Sequence, residues 1–417
     1  MSAAEVEAET VEAGVNVEQE RGRAFRSLKI PAFRWWFTAQ ILSGSGGMAQ
    51  IVGQAWLVLH VLHGGGLALG VLSAVAFVPV LAGGAWAGAM LQHHDVRRAL
   101  IGTQIAAGSV AVVLGVLVAS GRIELWMVFV LALLNGCVFA VDQPARQLYV
   151  VNLVGRDRVA SAVGLYEVII NASRVIGPAS GGVILALFGV ATCFFVNAIS
   201  FLPPLLVLLR FKPHDEHAEP PKKSSTREAL HAGLAYVRRT PAVAACIVMA
   251  APAGMIFNTG TAVPVLATHT FGLGKVGFGV LAACFGIGAI PGGFAAAYST
   301  SERMGKKTRN LCLGTGVAVV ALASVPVAAL AFPLMIAVGF LSIWMIALAN
   351  TLVQVRTDPD LRGPVMGLWT MVLPGLAPVT SLIVGAVTQY VGPRAGYGIA
   401  GVLLVAAAAA GWSALRE

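Results

Sequence analysis

Residues 70–98 read GVLSAVAFVPVLAGGAWAGAMLQHHDVRR, and residues 279–307 read GVLAACFGIGAIPGGFAAAYSTSERMGKK. Gly70-Val71-Leu72, Gly83-Gly84 and Arg97-Arg98 thus return 209 residues later as Gly279-Val280-Leu281, Gly292-Gly293 and Lys306-Lys307. Each run stays apolar for about the 20 residues with which a helix crosses a bilayer, and each ends in a basic pair. A second stretch returns at an offset of 203, pairing Asp157, Gly164, Leu165, Gly182 and Gly189 with Asp360, Gly367, Leu368, Gly385 and Gly392. One unit has been used twice.

The rest of the chain continues the pattern. It is 57% hydrophobic and 11% charged with a mean hydropathy of +0.81, against roughly 45–50% apolar and 25% charged for a soluble domain. Twelve apolar spans are expected, at 34–60, 67–91, 99–119, 125–149, 161–187, 190–209, 242–268, 277–300, 308–328, 331–354, 364–390 and 395–415. Segments of about ten residues with alternating polarity, the mark of a membrane β-barrel, do not occur. The expected fold is therefore an all-α membrane protein of twelve transmembrane helices in two pseudo-symmetric six-helix halves. Such duplicated halves suit transporters that rock about a central site.

Short loops rich in Lys and Arg stay in the cytoplasm. With the N-terminus inside, the basic residues fall on cytoplasmic segments except Arg122, Lys275, Arg394 and the intramembrane Arg174. Both termini are then cytoplasmic, and the net charge of +9 reflects topology, not nucleic-acid binding. Residues 1–33 form a cytoplasmic tail that carries Glu5, Glu7, Glu9, Glu12, Glu18 and Glu20 and lacks the pattern of a secretory signal. Residues 34–210 form the first bundle, 211–241 a cytoplasmic linker and 242–417 the second bundle. Within the linker, Leu230, Leu234 and Val237 share one face of an amphipathic helix over 226–239. The five cysteines sit in apolar spans without paired spacing, so neither disulfides nor a metal site is expected.

The fifth span carries Gly164, Ser173, Gly177-Pro178 and Gly181-Gly182. Glycines four apart admit a neighbouring helix closely, and proline removes a backbone hydrogen bond and permits a bend. This spacing resembles the antiporter motif of drug exporters in the major facilitator superfamily, with Ser173 where the motif has glycine. The loop from Gly88 through Asp95, Arg97 and Arg98 resembles the family's charged loop between its second and third helices, with Gln92 replacing an aspartate. Glu302, Arg303, Gly305, Lys306 and Lys307 keep that order in the second half. Asp142, Pro144, Arg146, Asn171, Arg174, Asn197, Gln354, Arg362 and Gly367 extend the likeness to the siderophore and macrolide exporter branch, with Pro364 standing where a second arginine is usual.

The resemblance implies export of a small amphipathic molecule in exchange for protons, with the proton gradient and no cofactor as the energy source. It also implies cytoplasmic latching by the loop charges, with Arg146 and Arg362 among them. Residence in the bacterial inner membrane as a monomer is expected. Three ionisable groups lie within spans, where charge is costly and marks function by default: Asp142, Glu167 and Arg174. Glu167 suits proton carriage, Asp142 has a close basic partner in Arg146, and Arg174 can hold an anionic group or a carboxylate. His60, His63 and His269 fall at external span ends and are expected to be solvated or interfacial residues in preference to proton relays.

Ser43, Gly47, Gln50 and Gln54 share one face of the first span and are expected to look inward. Asn135, Asn171, Phe257, Asn258, Asn350, Gln354 and Trp369 are further cavity candidates, while Trp35 and Trp36 are expected to anchor at the interface. Walker-type phosphate loops and nucleophile elbows are absent from the sequence, so an enzyme is not expected. The competing readings are an importer or lysophospholipid translocator of the same fold and, from another class, a membrane receptor or scaffold.

Overall fold

The computed structural model describes residues 26–91, 94–155, 158–211, 226–257, 260–299, 303–358, 361–373 and 375–416. The first half comprises α1 (Pro31–Trp56), which continues into a π-helical turn (Leu57–Val61), then α2 (Gly66–Leu91), α3 (Val96–Ala119), α4 (Leu125–Val154), α5 (Val159–Phe188) and the pair α6 (Val190–Ser200) and α7 (Leu202–Arg210). A helix α8 (Thr226–Arg239) precedes the second half: α9 (Pro241–Phe257), α10 (Ala262–Val265) with another π-helical turn (Leu266–Thr270), α11 (Lys275–Ala297), α12 (Met304–Ser324) and α13 (Ala328–Arg356). The pair α14 (Arg362–Val372) and α15 (Ala377–Tyr390) and then α16 (Pro393–Ala410) complete it.

Among the described residues nine helical segments are long and apolar enough to cross a membrane, with α6–α7 and α14–α15 counted as one each. The element order is consistent with twelve spans, and the other three fall short for readable reasons. α1 carries Gln40, Ser43, Ser45 and Gln50, all buried in protein, where a bilayer helix tolerates polar groups. α9 has 17 residues before its break. α12 opens on Lys306, Lys307 and Arg309.

α8 meets α9 at 109°. Its Tyr236 hydroxyl donates to the Arg356 carbonyl at 2.5 Å, and Gly233 lies against Pro364. This end of the molecule is called the linker end. The sequence reading expects unbroken spans over 242–268 and 364–390, yet a turn at Gly260 and Thr261 separates α9, described to Phe257, from α10, and α14 ends at Val372. Pro374 has no N–H to continue the second helix, and the Gly375 N–H donates instead to Thr370 O at 3.2 Å. The two breaks abut, since a Cβ on Gly254 would lie 2.7 Å from the Leu373 carbonyl oxygen.

Within the halves α1 packs on α5, α2 on α4, α11 on α13 and α12 on α16. Two broad seams join the halves, α2 against α15 and α5 against α11. Both depend on missing side chains. A Cβ on Gly182 would lie 2.9 Å from the Gly279 Cα, and one on Gly385 2.8 Å from the Gly70 Cα. These close approaches lie at the end opposite the linker, where Ser73 and Thr261 also bring their hydroxyl oxygens within 3.2 Å across the halves. Toward the linker end the seams part: Gly164 and Gly367 face open space, with nothing within 4 Å of a Cβ built on either.

Two expectations fail locally. Gly164, read as part of a packing motif, touches no neighbouring helix because the linker end is open. Trp36, expected at the interface beside Trp35, is 1% exposed, whereas Trp35 is 58% exposed. Helical rotation turns Trp36 inward onto Tyr149, ring centroids 4.8 Å apart.

A valine at position 70 would meet the Ser381 carbonyl 2.6 Å away, and such overpacking costs about 1–3 kcal/mol. Gly70→Val should therefore loosen the far end. In detergent, a cysteine replacing the fully buried Thr261 should react with a water-soluble thiol reagent roughly tenfold faster in that background, as 1.4 kcal/mol corresponds to a factor of ten. An unchanged rate would refute the packing argument.

Candidate functional site

α5 lies between α1 and α11, and its small residues divide between the two. Toward α1, Ser173 fits against Gly44 and donates to the Ile41 carbonyl at 3.5 Å. Gly177 meets Met48 and the Ser45 carbonyl, and a Cβ on Gly181 would sit 2.8 Å from the Ala49 Cα. Toward α11, the Pro178 carbonyl and Gly182 press on Gly279, while the Arg174 backbone lies 2.8 Å from a Cβ built on Gly286. The serine at 173 is accommodated because α1 supplies the missing side chain at Gly44.

Asp142 is buried and engaged on every side. It accepts from Thr103 Oγ1 at 2.8 Å and Gln104 Nε2 at 2.9 Å and pairs with Arg146, whose guanidinium also donates to Gln40. The network ties α1, α3 and α4 together inside the first half. A carboxylate held by three partners serves first as a brace.

Arg174 crosses between the halves. Its guanidinium carbon lies 5.7 Å from the centre of the Phe257 ring, at the end of α9, and Nη1 donates to Asn171 Oδ1 at 3.4 Å. Phe257 in turn meets Phe285 edge-on, centroids 5.9 Å apart. A half-buried cation over an aromatic face beside a broken helix is a setting for binding anionic and aromatic groups.

The remaining cavity candidates separate. Gln50 turns to α6 and accepts from Asn197 Nδ2 at 2.7 Å, so it holds α1 to its own half. Ser43 is likewise buried. Gly47 faces open space, Ile51 touches Gly260 of the second half, and Gln54, on the same face one turn on, is half-buried. Asn135 is half-buried on α4, and Trp369 is 3% exposed in α14. Gln354 donates to Asn350 at 2.5 Å and accepts on its carbonyl from Arg362 at 3.1 Å, near the linker end. Asn258 and Glu302 lie outside the described residues, as does the side chain of Glu167, and Gly88 lies within α2.

The charged loop before α3 braces its own half. Asp95 caps α3 by accepting from the backbone N–H groups of Arg97 at 2.9 Å and Arg98 at 3.1 Å. Arg97 donates to the carbonyls of Leu208 at 2.6 Å and Leu209 at 3.2 Å, the end of α7, where a cation suits the helix dipole. Arg303 precedes α12 with φ 53°, Gly305 is buried, and Lys306 is exposed while Lys307 is half-buried.

Two features escaped the sequence reading. Arg309 is 5% exposed and stacks on Trp412 at 3.7 Å. His60 and His269 face each other across the halves, centroids 6.2 Å apart, and their separation by the same 209 residues was a legible signal.

A family described as "Transmembrane secretion effector" matches residues 23–416. The chain is similar to the staphyloferrin A transporter of Staphylococcus aureus (strain NCTC 8325 / PS 47), at 29% identity over 62% of this chain and 64% of that protein's length. It is similar to the enterobactin exporter EntS of Shigella flexneri, at 26% identity over 82% of this chain and 81% of the relative. Among solved structures, a bacterial homolog to the human lysosomal transporter Spinster, inward-facing and unoccupied, shares the fold with a TM-score of 0.70. It matches at 13% identity over 93% of this chain and 97% of that one.

Removing one partner from a buried ion pair costs about 3–5 kcal/mol. Asp142→Ala should accordingly lower the melting temperature of the detergent-solubilised protein by several degrees, read by intrinsic fluorescence. An unaltered melting curve would exclude the bracing role.

Proposed function

Because the chain belongs to the transmembrane secretion effector family of the major facilitator superfamily, and so is a multi-pass transporter of small molecules and not an enzyme, we propose that it exports an amphipathic molecule in exchange for protons. The substrate class is an antibiotic, drug, siderophore or similar natural product. The working unit is a monomer in the bacterial inner membrane, with both termini and the linker end cytoplasmic and the proton gradient in place of any cofactor.

The observation that carries this reading is the position of α5. Its antiporter-like residues pack on α1 with one face and on α11 of the other half with the opposite face. A helix so placed links the seam to the site, because Arg174 reaches over Phe257 from the same segment. Movement of α11 against α5 then changes the surroundings of the central cation. Glu167, seven residues before Arg174 on the same helical face, carries the proton. Desolvation raises the pKa of a carboxylate and a nearby cation lowers it, so alternating exposure moves the proton on and off. Closure of the linker end would bring the charges at Asp95, Arg97, Arg98, Arg146, Glu302, Arg303, Lys306, Lys307 and Arg362 into latching contacts. Gln54, Asn171, Phe257 and Asn258 are proposed to line the substrate path.

The test uses everted membrane vesicles acidified inside and a panel of dyes, antibiotics and siderophores. The parent should accumulate at least one compound. Glu167→Gln should abolish that accumulation yet retain downhill exchange, since glutamine keeps the size but cannot titrate. Proton-driven accumulation at the parental rate in Glu167→Gln would overturn the assignment, and accumulation only in right-side-out vesicles would identify an importer.

A further inference from the structure

The π-helical turns that end α1 and α10 are one device built twice. Leu62 N–H donates to Leu57 O at 2.9 Å and Gly64 N–H to Val58 O at 2.7 Å. At an offset of 209, Phe271 N–H donates to Leu266 O at 3.1 Å and Leu273 N–H to Ala267 O at 2.9 Å. His63 at φ 51° stands where the other half has Gly272 at φ 61°. The wide turn is rare and recurs at functional sites. Here each copy presents one histidine, and the copies meet across the halves.

His60 is half-buried, its ring stacked on Trp56 at 3.9 Å and 11°, while His269 is exposed. The rings lie 6.2 Å apart, edge to face. They sit at the same end as the Gly182–Gly279 and Gly70–Gly385 contacts. Lys275 at the start of α11 places its ammonium 5.9 Å from the centre of the Trp56 ring. The other charged or titratable groups on this end of the neighbouring elements are His63, after the first turn, Tyr390 at the end of α15, and Arg394 and Tyr397 on α16. Arg394 donates to the Ala323 carbonyl and Tyr397 to Met335 Sδ. Arg34 lies at the linker end of α1, and α1, α2, α10, α11 and α16 carry no carboxylate.

We propose that His60 and His269 form a proton-binding gate at the far end, which stays shut while both rings are neutral and is driven open when both are protonated. Trp56, already near the Lys275 ammonium, can also attract a protonated His60 stacked on its ring. A second imidazolium would then face a like charge across the seam, with Lys275 adding a third and no acid on α1, α2, α10, α11 or α16 to offset them. Opening the seam separates the two turns and exposes the half-buried His60 ring to water as well. Histidine is the side chain whose ordinary titration lies between pH 5 and 8, so external acid acts through this pair. The gate rests on the proposed orientation and adds to the Glu167 assignment a second place where protons bias the cycle.

The experiment measures the far-end distance by pulsed electron resonance in nanodiscs, with spin labels on Ser120→Cys of the first half and Tyr390→Cys of the second, both exposed, and the native cysteines replaced. Between pH 8 and pH 5 the parent should shift toward the longer distance by up to about tenfold in population per pH unit per proton linked to opening. His60→Gln combined with His269→Gln should remove that dependence. His269→Gln alone, at an exposed position, should reduce it and guards against misfolding of the double variant. A pH response in the double variant equal to the parent's, or none in the parent, would overturn the gate. Failure of proton antiport reads differently: transport by the parent would then ignore a pH gradient while its far-end distance still followed pH.

Discussion

Contact of glycine on glycine across the two halves is the constraint from which the rest follows. At Gly182–Gly279 and at Gly70–Gly385 one helix meets another without an intervening side chain. Lipid gives little hydrophobic drive to helix association, so such close packing supplies much of what holds bilayer helices together. The contacts are strong only at short range. Seams of this kind are shut or separated, with little between.

What surrounds the seams favours movement of whole bundles. Asp142, Arg146, Thr103, Gln104 and Gln40 lock α1, α3 and α4 together, and Gln50 with Asn197 adds α6. The second half contains breaks after α9 and α14, and the first of them lies where Phe257 meets Arg174. A rigid bundle facing an interrupted one puts the adaptable backbone next to the central cation. The open space at Gly164 and Gly367 marks the direction in which the halves have already parted.

Much of this was legible in the sequence, and the exceptions have physical causes. The membrane class and the duplication follow from composition and spacing, the motif on α5 was read by resemblance, and the family match agrees with the membrane-transporter class. The two offsets, 209 and 203, were both visible. That the glycines of one offset pack against those of the other was not, because a repeat shows which residues are equivalent and not which ones touch. Ser43, Gly47, Gln50 and Gln54 do share one face of α1, but a shared face does not say which helix it meets, and the structure sends Gln50 to α6. Hydropathy averages over the breaks at Phe257 and Val372. His60 and His269 read as solvated ends because only the folded seam brings them together.

Ser73 and Thr261 offer the most direct test that transport requires the far-end seam to open. Their hydroxyl oxygens are 3.2 Å apart on opposite halves, and thiols in the same places need only close to the disulfide length of about 2.05 Å. Ser73→Cys with Thr261→Cys, in a background lacking the exposed Cys137, would be oxidised in vesicles and assayed for transport before and after reduction. Transport should stop on oxidation and return on reduction, while each single cysteine variant keeps transporting under oxidant. Undiminished transport with the disulfide verified as formed would contradict the rocking mechanism.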